Sequence, residues 1–157
     1  MMKGLSMGVF ICDFELVDYD GDETYVVYPV GLEGATEGYG LKDAVEMAAD
    51  WLKVTALDYL MRGEEWPDLP LGTEPTRGGR MVTLAVDASL DQVPAVTAAE
   101  AARMLGVSAA RVAQLVKAGA LDSWKAGGTR MVSCESVECR LAEGHKAGRP
   151  KRELTTA

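Results

Sequence analysis

The sequence has little of what metal sites, disulfides and redox centres require. It contains three cysteines, Cys12, Cys134 and Cys139, and a single histidine, His145. No two cysteines form a CxxC pair, and Cys134, Cys139 and His145 lack the ligand spacing and the fourth ligand of a zinc site. We therefore expect reduced thiols, as in a cytosolic protein, and neither a metal nor a cofactor.

Long apolar runs are also missing. No stretch approaches the roughly 18 apolar residues that predict a membrane span. The start, MMKGLSMGVFICDF, lacks the basic region and the long apolar core of a secretory signal. Apolar residues still make up 48% of the 157, enough for one or two small folded domains. These features predict a cytoplasmic protein without membrane contact.

Charge is divided unevenly along the chain. Residues 1–94 contain 6 Lys and Arg against 18 Asp and Glu, a net charge of −12, whereas residues 95–157 contain 10 against 6, a net charge of +4. Nine of the ten aromatic residues also lie in the acidic part. We predict an acidic domain over residues 1–90, a linker over 91–96, a second domain over 97–144 and a flexible basic tail over 145–157.

The acidic part begins with the pattern of a β-hairpin. Phe10, Cys12, Phe14 and Leu16 alternate with a second set of side chains, a β-rich run begins at Thr24, and Asp20-Gly21 suits the turn between them. The acidic residues around this turn resemble calcium ligands, but the glutamate that a calcium loop needs further on is absent. A solvated turn is therefore favoured over a calcium site.

The rest of the acidic part predicts a mixed α+β domain. A short strand over 34–38 precedes a helix over 41–61, a Pro- and Gly-rich loop over 64–80 and a strand over 81–87. The order β-β-β-α-β indicates one helix packed on a small sheet. The apolar helix face is predicted to consist of Leu41, Val45, Ala48, Leu52, Ala56 and Tyr59.

Residues 9–87 resemble the HicB-like antitoxin domain, in which a strand leads through P-x-L-x-G-x-x-T-x-G into a helix that opens L-x-E-A. The resemblance implies a partial ribonuclease-H-like fold that has lost its catalytic carboxylates, and binding of a small basic RNA-cleaving toxin, HicA. Gly40 stands where the family usually has a Ser or Thr helix cap. The matching positions are Pro29, Leu32, Gly34, Thr36, Gly38, Leu41, Asp43 and Ala44.

Toxin binding is assigned to acids on one side of the predicted helix, Asp43, Glu46 and Asp50, and to Trp66 in the loop that follows. Trp51, at the flank of the apolar helix face, is instead expected in the core. An alternative is a metal-dependent nuclease that uses Asp13 with these helix acids, which requires them to cluster within metal-bridging distance. We favour a protein without enzymatic activity.

The basic part predicts a helix-turn-helix followed by a hairpin. Thr97 and Glu100 have capping-box spacing, Gly106 ends the first helix and Ser108 begins the second. Val112, Leu115 and Val116 are predicted to face inward in the second helix. A strand, a Gly127-Gly128 turn and a second strand then form a β-wing, and a closing helix turns Val137 and Leu141 inward.

Residues 96–144 resemble the excisionase and MerR-like winged helix-turn-helix domains, which predicts DNA binding. Ala109 and Ala110 depart from the polar residues usual at the start of the recognition helix, so an alternative is a helix-turn-helix used only for protein contacts. The predicted DNA-binding residues are Ser108, Ala109, Arg111, Gln114, Lys117, Lys125, Thr129 and Arg130. The matching positions are Thr97, Glu100, Ala101, Ala102, Leu105, Gly106, Val107, Ser108, Val112, Gly119, Leu121, Gly127 and Gly128.

Together these features predict an antitoxin that neutralises a small basic HicA-like toxin and represses its own operon by binding operator DNA. A homodimer or a higher homo-oligomer is expected, because a module of about 50 residues has a small core and one copy binds DNA weakly. Arg149, Lys151 and Arg152 in the tail are predicted to add phosphate contacts. The alternative is a stand-alone DNA-binding regulator or recombination accessory protein without a toxin.

Overall fold

Two units with separate hydrophobic cores make up the structure, a computed structural model that describes residues 6–146. The division falls between Gln92 and Val93. Within the described residues, no helix has both the length and the apolar character needed to cross a membrane.

The N-terminal unit is a four-stranded antiparallel sheet with one long helix. The predicted order β-β-β-α-β is confirmed, and the strands lie in the sheet in the order β3-β2-β1-β4, so that the first strand is central. A short 3-10 helix follows the last strand. The elements are β1 (Met7–Asp18), β2 (Thr24–Pro29), β3 (Thr36–Tyr39), α1 (Leu41–Arg62), β4 (Arg80–Ser89) and the 3-10 helix Leu90–Gln92.

One face of β1 forms the core of this unit with α1. Phe10, Cys12, Phe14 and Leu16 are buried there, as the alternation predicts. The predicted helix face is partly wrong, because Leu41 is 39% exposed and Val45 and Tyr59 are only half-buried. The helix positions that are buried are Ala44, Ala48, Leu52, Ala56 and Leu60.

Small residues explain this helix face. Three of its five buried positions are alanine, which lets the α1 backbone lie close to the sheet. A Cβ atom on Gly38 would lie 2.5 Å from the Ala44 Cα, so only glycine fits where β3 passes the helix. The sequence prediction was correct for Ala48, Leu52 and Ala56 and missed Ala44 and Leu60.

Gly40 begins α1 without a side-chain cap. Its φ of 88° lies in the left-handed region, which favours glycine and would strain a Ser or Thr cap. The Asp43 carboxylate ties the first turn of α1 to the end of β3, since it accepts a hydrogen bond from the Tyr39 backbone N–H at 2.9 Å.

The C-terminal unit combines three helices with a three-stranded antiparallel sheet of order β5-β7-β6. Its strand β5 was not predicted, because three residues are too few to show alternation. The elements are β5 (Ala95–Thr97), α2 (Ala98–Leu105), α3 (Ala109–Lys117), β6 (Ser123–Ala126), β7 (Thr129–Ser133) and α4 (Cys134–Lys146).

The core of the C-terminal unit lies between α2, α3, α4 and the sheet. The predicted inward positions are confirmed: Val112, Leu115 and Val137 are buried, and Val116 and Leu141 are half-buried against them. The helix α4 continues to Lys146, two positions into the predicted tail. The cations predicted to extend DNA binding from the tail, Arg149, Lys151 and Arg152, lie outside the described residues.

Candidate functional sites

The turn between α2 and α3 is fixed by its caps. Thr97 and Glu100 form the predicted capping box, with both hydrogen bonds at 3.2 Å. Gly106 ends α2 with a φ of 67°, a left-handed conformation that favours glycine. The Ser108 hydroxyl then accepts a hydrogen bond from the Arg111 N–H at 3.1 Å and begins α3. Two short helices are thereby joined by a tight turn, which is the geometry of a helix-turn-helix.

The exposed face of α3 carries the side chains predicted to bind DNA. Arg111, Gln114 and Lys117 are all exposed, whereas Val112 and Leu115 anchor the opposite face in the core. The Arg111 guanidinium donates a hydrogen bond from Nη1 to Gln114 Oε1 at 3.2 Å. The remaining exposed positions near the start of α3 are the alanines 109, 110 and 113.

The hairpin β6–β7 presents a second cationic surface. Gly127 and Gly128 form its turn with φ angles of 57° and 85°, as a two-residue hairpin turn requires. Lys125 lies directly opposite Arg130 across the two strands, and the Arg130 guanidinium donates to the Ser123 hydroxyl at 3.1 Å. Two positive charges directly opposite one another repel and destabilise a hairpin. An anion bound between Lys125 and Arg130 would relieve this repulsion.

Arg140 of the C-terminal unit pairs with Glu143 on α4, but the cations predicted to bind DNA form no such ion pair among the described residues. In the part of this unit that the structure describes, no carboxylate lies within 4.0 Å of Arg111, Lys117, Lys125 or Arg130. Thr129, beside the hairpin tip, is exposed as well. Phosphate oxygens are the natural partners of such a set of exposed cations and hydroxyls.

The acids predicted to bind a toxin lie along one side of α1. Glu46 and Asp50 are exposed, and Glu46 forms a solvated ion pair with Lys42 at 3.8 Å. Asp43 is half-buried and is engaged in the helix start described above. Two of the three acids are therefore accessible to a partner.

Trp66 packs against its own unit while bordering an open cavity. Its ring lies edge-on to Phe10 and to Tyr59, with 5.1 Å between ring centroids in both cases. Trp51 contacts Phe14 in the same manner at 5.9 Å, in line with its expected place at the core. The cavity beside Trp66 has a volume of about 400 Å³ and is lined by Gly8, Val9, Phe10, Leu60, Gly63, Glu64, Glu65 and Trp66.

Asp13, on the sheet face opposite α1, is buried by the loop that follows the helix. Asp13 is only 1% exposed. The carboxylate accepts hydrogen bonds from the Thr73 N–H and hydroxyl, both at 2.8 Å, and from the Thr83 hydroxyl. Burial alone would raise the pKa of Asp13, but the hydrogen bonds outweigh it and hold the pKa below its usual value.

Glu15 holds the same loop two residues further along β1. Its carboxylate, on a residue 2% exposed, accepts backbone N–H bonds from Thr76 at 2.9 Å, Arg77 at 2.7 Å and Gly79 at 2.9 Å. These bonds outweigh the effect of burial and lower the pKa of Glu15. The Arg77 guanidinium lies over the Tyr28 ring, 3.9 Å from its centroid, and closes the site at the surface.

The two buried carboxylates therefore anchor a loop. Successive side chains of β1 point to opposite faces, so Asp13 lies on the face away from α1, whereas the nuclease alternative requires it to cluster with Glu46 and Asp50. Sequence reasoning identified Asp13 as a candidate acid but assigned Glu15 no role. Their partners lie 60 or more positions away in the chain, and no local pattern reveals such contacts.

Comparison with known proteins identifies a domain in the C-terminal unit. Residues 95–145 match the family model described as "Helix-turn-helix domain". The solved structures include a "Toxin-Antitoxin complex from Streptococcus pneumoniae" that is 19% identical, covers 72% of this chain and 98% of its own, and has a TM-score of 0.40. A likeness at that TM-score does not establish a shared fold. No curated protein matches the chain. Residues 95–145 thus form a helix-turn-helix domain, and the HicB-like identity of the N-terminal unit stays a prediction.

Proposed function

We propose that this protein is a cytoplasmic DNA-binding antitoxin of the HicA/HicB-like type. Its N-terminal unit binds and neutralises a small basic RNA-cleaving toxin, and its C-terminal unit represses the shared operon. One observation carries the proposal: a helix-turn-helix domain with exposed, unneutralised cations is joined to a unit with a net charge of −12 in residues 1–94.

DNA binding follows from the geometry of the C-terminal unit. In a helix-turn-helix, the N-terminal part of the second helix enters the major groove. We therefore assign Ser108, Ala109, Arg111 and Gln114 to base edges and Lys117 to the backbone. The hairpin acts as a wing that brings Lys125, Thr129 and Arg130 to phosphates. These phosphate contacts supply affinity, and the contacts of α3 to bases supply sequence preference.

Toxin binding is assigned to the acidic unit on electrostatic grounds. Opposite net charge accelerates the encounter with a basic protein and disfavours acidic competitors. The cavity beside Trp66 offers an apolar floor bordered by Glu64 and Glu65, which suits an aliphatic side chain with a basic end. Glu46 and Asp50 on α1 add exposed negative charge. The antitoxin acts by covering the RNA-binding surface of its toxin and performs no catalysis itself.

Two or more copies of the chain cooperate in this function. Because α3 is short and has few polar groups near its start, one copy of the chain binds DNA weakly. Joining two such units in a homodimer or a higher homo-oligomer raises affinity by multivalency and allows two half-sites to be read together.

The proposal predicts that a short reading frame beside this gene encodes a small basic protein, and it is tested by co-expressing the chain with that protein. We expect a stable complex that suppresses the partner's RNA cleavage and binds DNA from its own promoter. Glu65→Lys should weaken the complex because it places a cation beside the cavity, whereas Glu33→Lys, exposed elsewhere in the same unit, serves as the matched control. Undiminished RNA cleavage in the presence of the wild-type chain refutes the antitoxin role.

A stand-alone DNA-binding regulator or recombination accessory protein is the second candidate. The restriction of the family match to residues 95–145 favours it, because a DNA-binding domain alone accounts for that match. In the experiment above, promoter binding without any complex between the two proteins supports this candidate over the antitoxin.

A further inference from the structure

Within the first six residues of α3, polar side chains are confined to one pair, and the Ser108 hydroxyl before them is engaged as the helix cap. From residue 109 to residue 114 the exposed positions are three alanines, Arg111 and Gln114. Alanine can contact a thymine methyl group but forms no side-chain hydrogen bond with a base. Any hydrogen-bonded reading of a base by this segment therefore falls to Arg111 and Gln114.

The two side chains are already joined. Arg111 donates from Nη1 to Gln114 Oε1 at 3.2 Å, one turn along the same helix face. A glutamine that recognises adenine uses its amide oxygen to accept from the adenine N6 amino group and its amide nitrogen to donate to N7. Here the amide oxygen already accepts from the guanidinium, and the nitrogens of the pair, on the guanidinium and the amide, can only donate.

A surface of donors matches guanine. In the major groove guanine presents two acceptors, O6 and N7, which suit the parallel N–H groups of a guanidinium, whereas adenine presents one acceptor and one donor. The hydrogen bond from Nη1 restricts the rotation of the guanidinium plane, because it fixes one of its two terminal nitrogens. This lowers the entropy cost of forming two bonds to one base.

We propose that Arg111 reads a guanine in each half-site and that Gln114 is a positioning residue that orients the guanidinium through this hydrogen bond and does not read adenine. This inference rests on the DNA-binding part of the proposed function and deepens it. It predicts that the operator base facing Arg111 is a guanine.

The experiment is selection of duplexes from a randomised pool with the full-length chain, followed by affinity measurement on the selected site and on its G·C→A·T variant. For the wild type we expect one guanine per half-site that Arg111→Ala no longer selects, with a loss of roughly 5- to 150-fold on the guanine site. Gln114→Ala should reduce the preference for guanine at that same position by a smaller factor. In the Arg111→Ala background, Gln114→Ala should have no further effect on it.

Gln114→Glu separates positioning from direct reading. Glutamate keeps an oxygen that accepts from Arg111 but lacks the amide donor, so the guanine preference should be retained while overall affinity falls because of the added negative charge. A different result would be a preference for adenine at one position that disappears in Gln114→Ala but persists in Arg111→Ala. That result overturns this inference and leaves the proposed function intact. Binding without any sequence preference overturns both the inference and the operator-binding part of the proposed function. Circular dichroism of each variant checks that α3 remains folded.

Discussion

In the N-terminal unit two carboxylates, Asp13 and Glu15, are buried and surrounded by hydrogen-bond donors, whereas in the C-terminal unit the cations Arg111, Lys125 and Arg130 are exposed without acidic partners. The buried acids determine where a loop lies, so they belong to the fold. The exposed cations contribute little to their own unit and are available to another molecule. Burial and hydrogen bonding therefore distinguish the charged residues that maintain the fold from those available to bind a partner. The net charge of each unit does not show this difference.

The largest expected effect is that of removing Glu15. Glu15→Ala leaves the N–H groups of Thr76, Arg77 and Gly79 without their acceptor, and we expect the free energy of unfolding of the N-terminal unit to fall by about 3 kcal/mol. Urea unfolding followed by tryptophan fluorescence measures this. A Trp124→Phe background leaves Trp51 and Trp66 of this unit as the fluorophores.

Glu37→Ala is the matched control for Glu15→Ala. Glu37 lies on β3 of the same sheet but is exposed, so its loss should change stability by no more than about 0.5 kcal/mol. Equal effects of the two substitutions would show that the buried carboxylate does not hold the loop.

A smaller loss of stability is expected when the pH is lowered. Because the pKa values of Asp13 and Glu15 are lowered in the folded state, both states are ionised at neutral pH and the stabilisation is fully present there. As the pH falls through about 4, the usual range of these carboxyl groups, the unfolded chain takes up protons first and stability declines. The decline continues until the folded carboxylates are protonated as well.

The double variant Asp13→Asn, Glu15→Gln tests this origin of acid sensitivity. It should be less stable than the wild type at pH 7, and the difference should shrink steadily between pH 5 and pH 3. The exposed acids of the unit remain in both proteins, so their shared titration cancels in the comparison. A constant difference across this range would mean that folding does not lower the pKa values of Asp13 and Glu15.

The contrast between the two units also explains what the sequence predicted. The helix-turn-helix follows from local signals, since capping residues, glycines and helix periodicity lie within a few positions of one another, and the structure confirms its inward residues. In the N-terminal unit the order of elements was predicted correctly for the same reason. The centre of the buried α1 face was also predicted correctly. Ala44 was missed because its burial depends on the close backbone approach at Gly38, which helix periodicity does not reveal.

The loop over β1 was beyond sequence reasoning. The alternation along β1 identifies Asp13 and Glu15 as a separate face, and a separate charged face ordinarily means solvent. Its cover is a loop that donates mainly backbone N–H groups, which any sequence carries, together with threonine hydroxyls 60 or more positions away, so no local pattern marks it. The functional interpretation of α3 and the hairpin rests on residues that the sequence predicted and that the structure shows to be exposed.

The smallest expected effect concerns Arg130, and it tests the opposite side of the comparison. Arg130 is exposed and its hydroxyl partner Ser123 is surface-accessible in part, so Arg130→Ala should leave the stability of the C-terminal unit nearly unchanged. DNA affinity should fall by a similar factor on operator and on unrelated sequence, because a phosphate contact carries no base information, and the slope of log affinity against log salt should decrease by about 1. Arg140→Ala, which removes a cation paired with Glu143 on α4, is the control and should not change that slope. If Arg130→Ala weakened operator binding alone, the hairpin would read bases, and if it destabilised the unit, this cation would belong to the fold as Asp13 and Glu15 do.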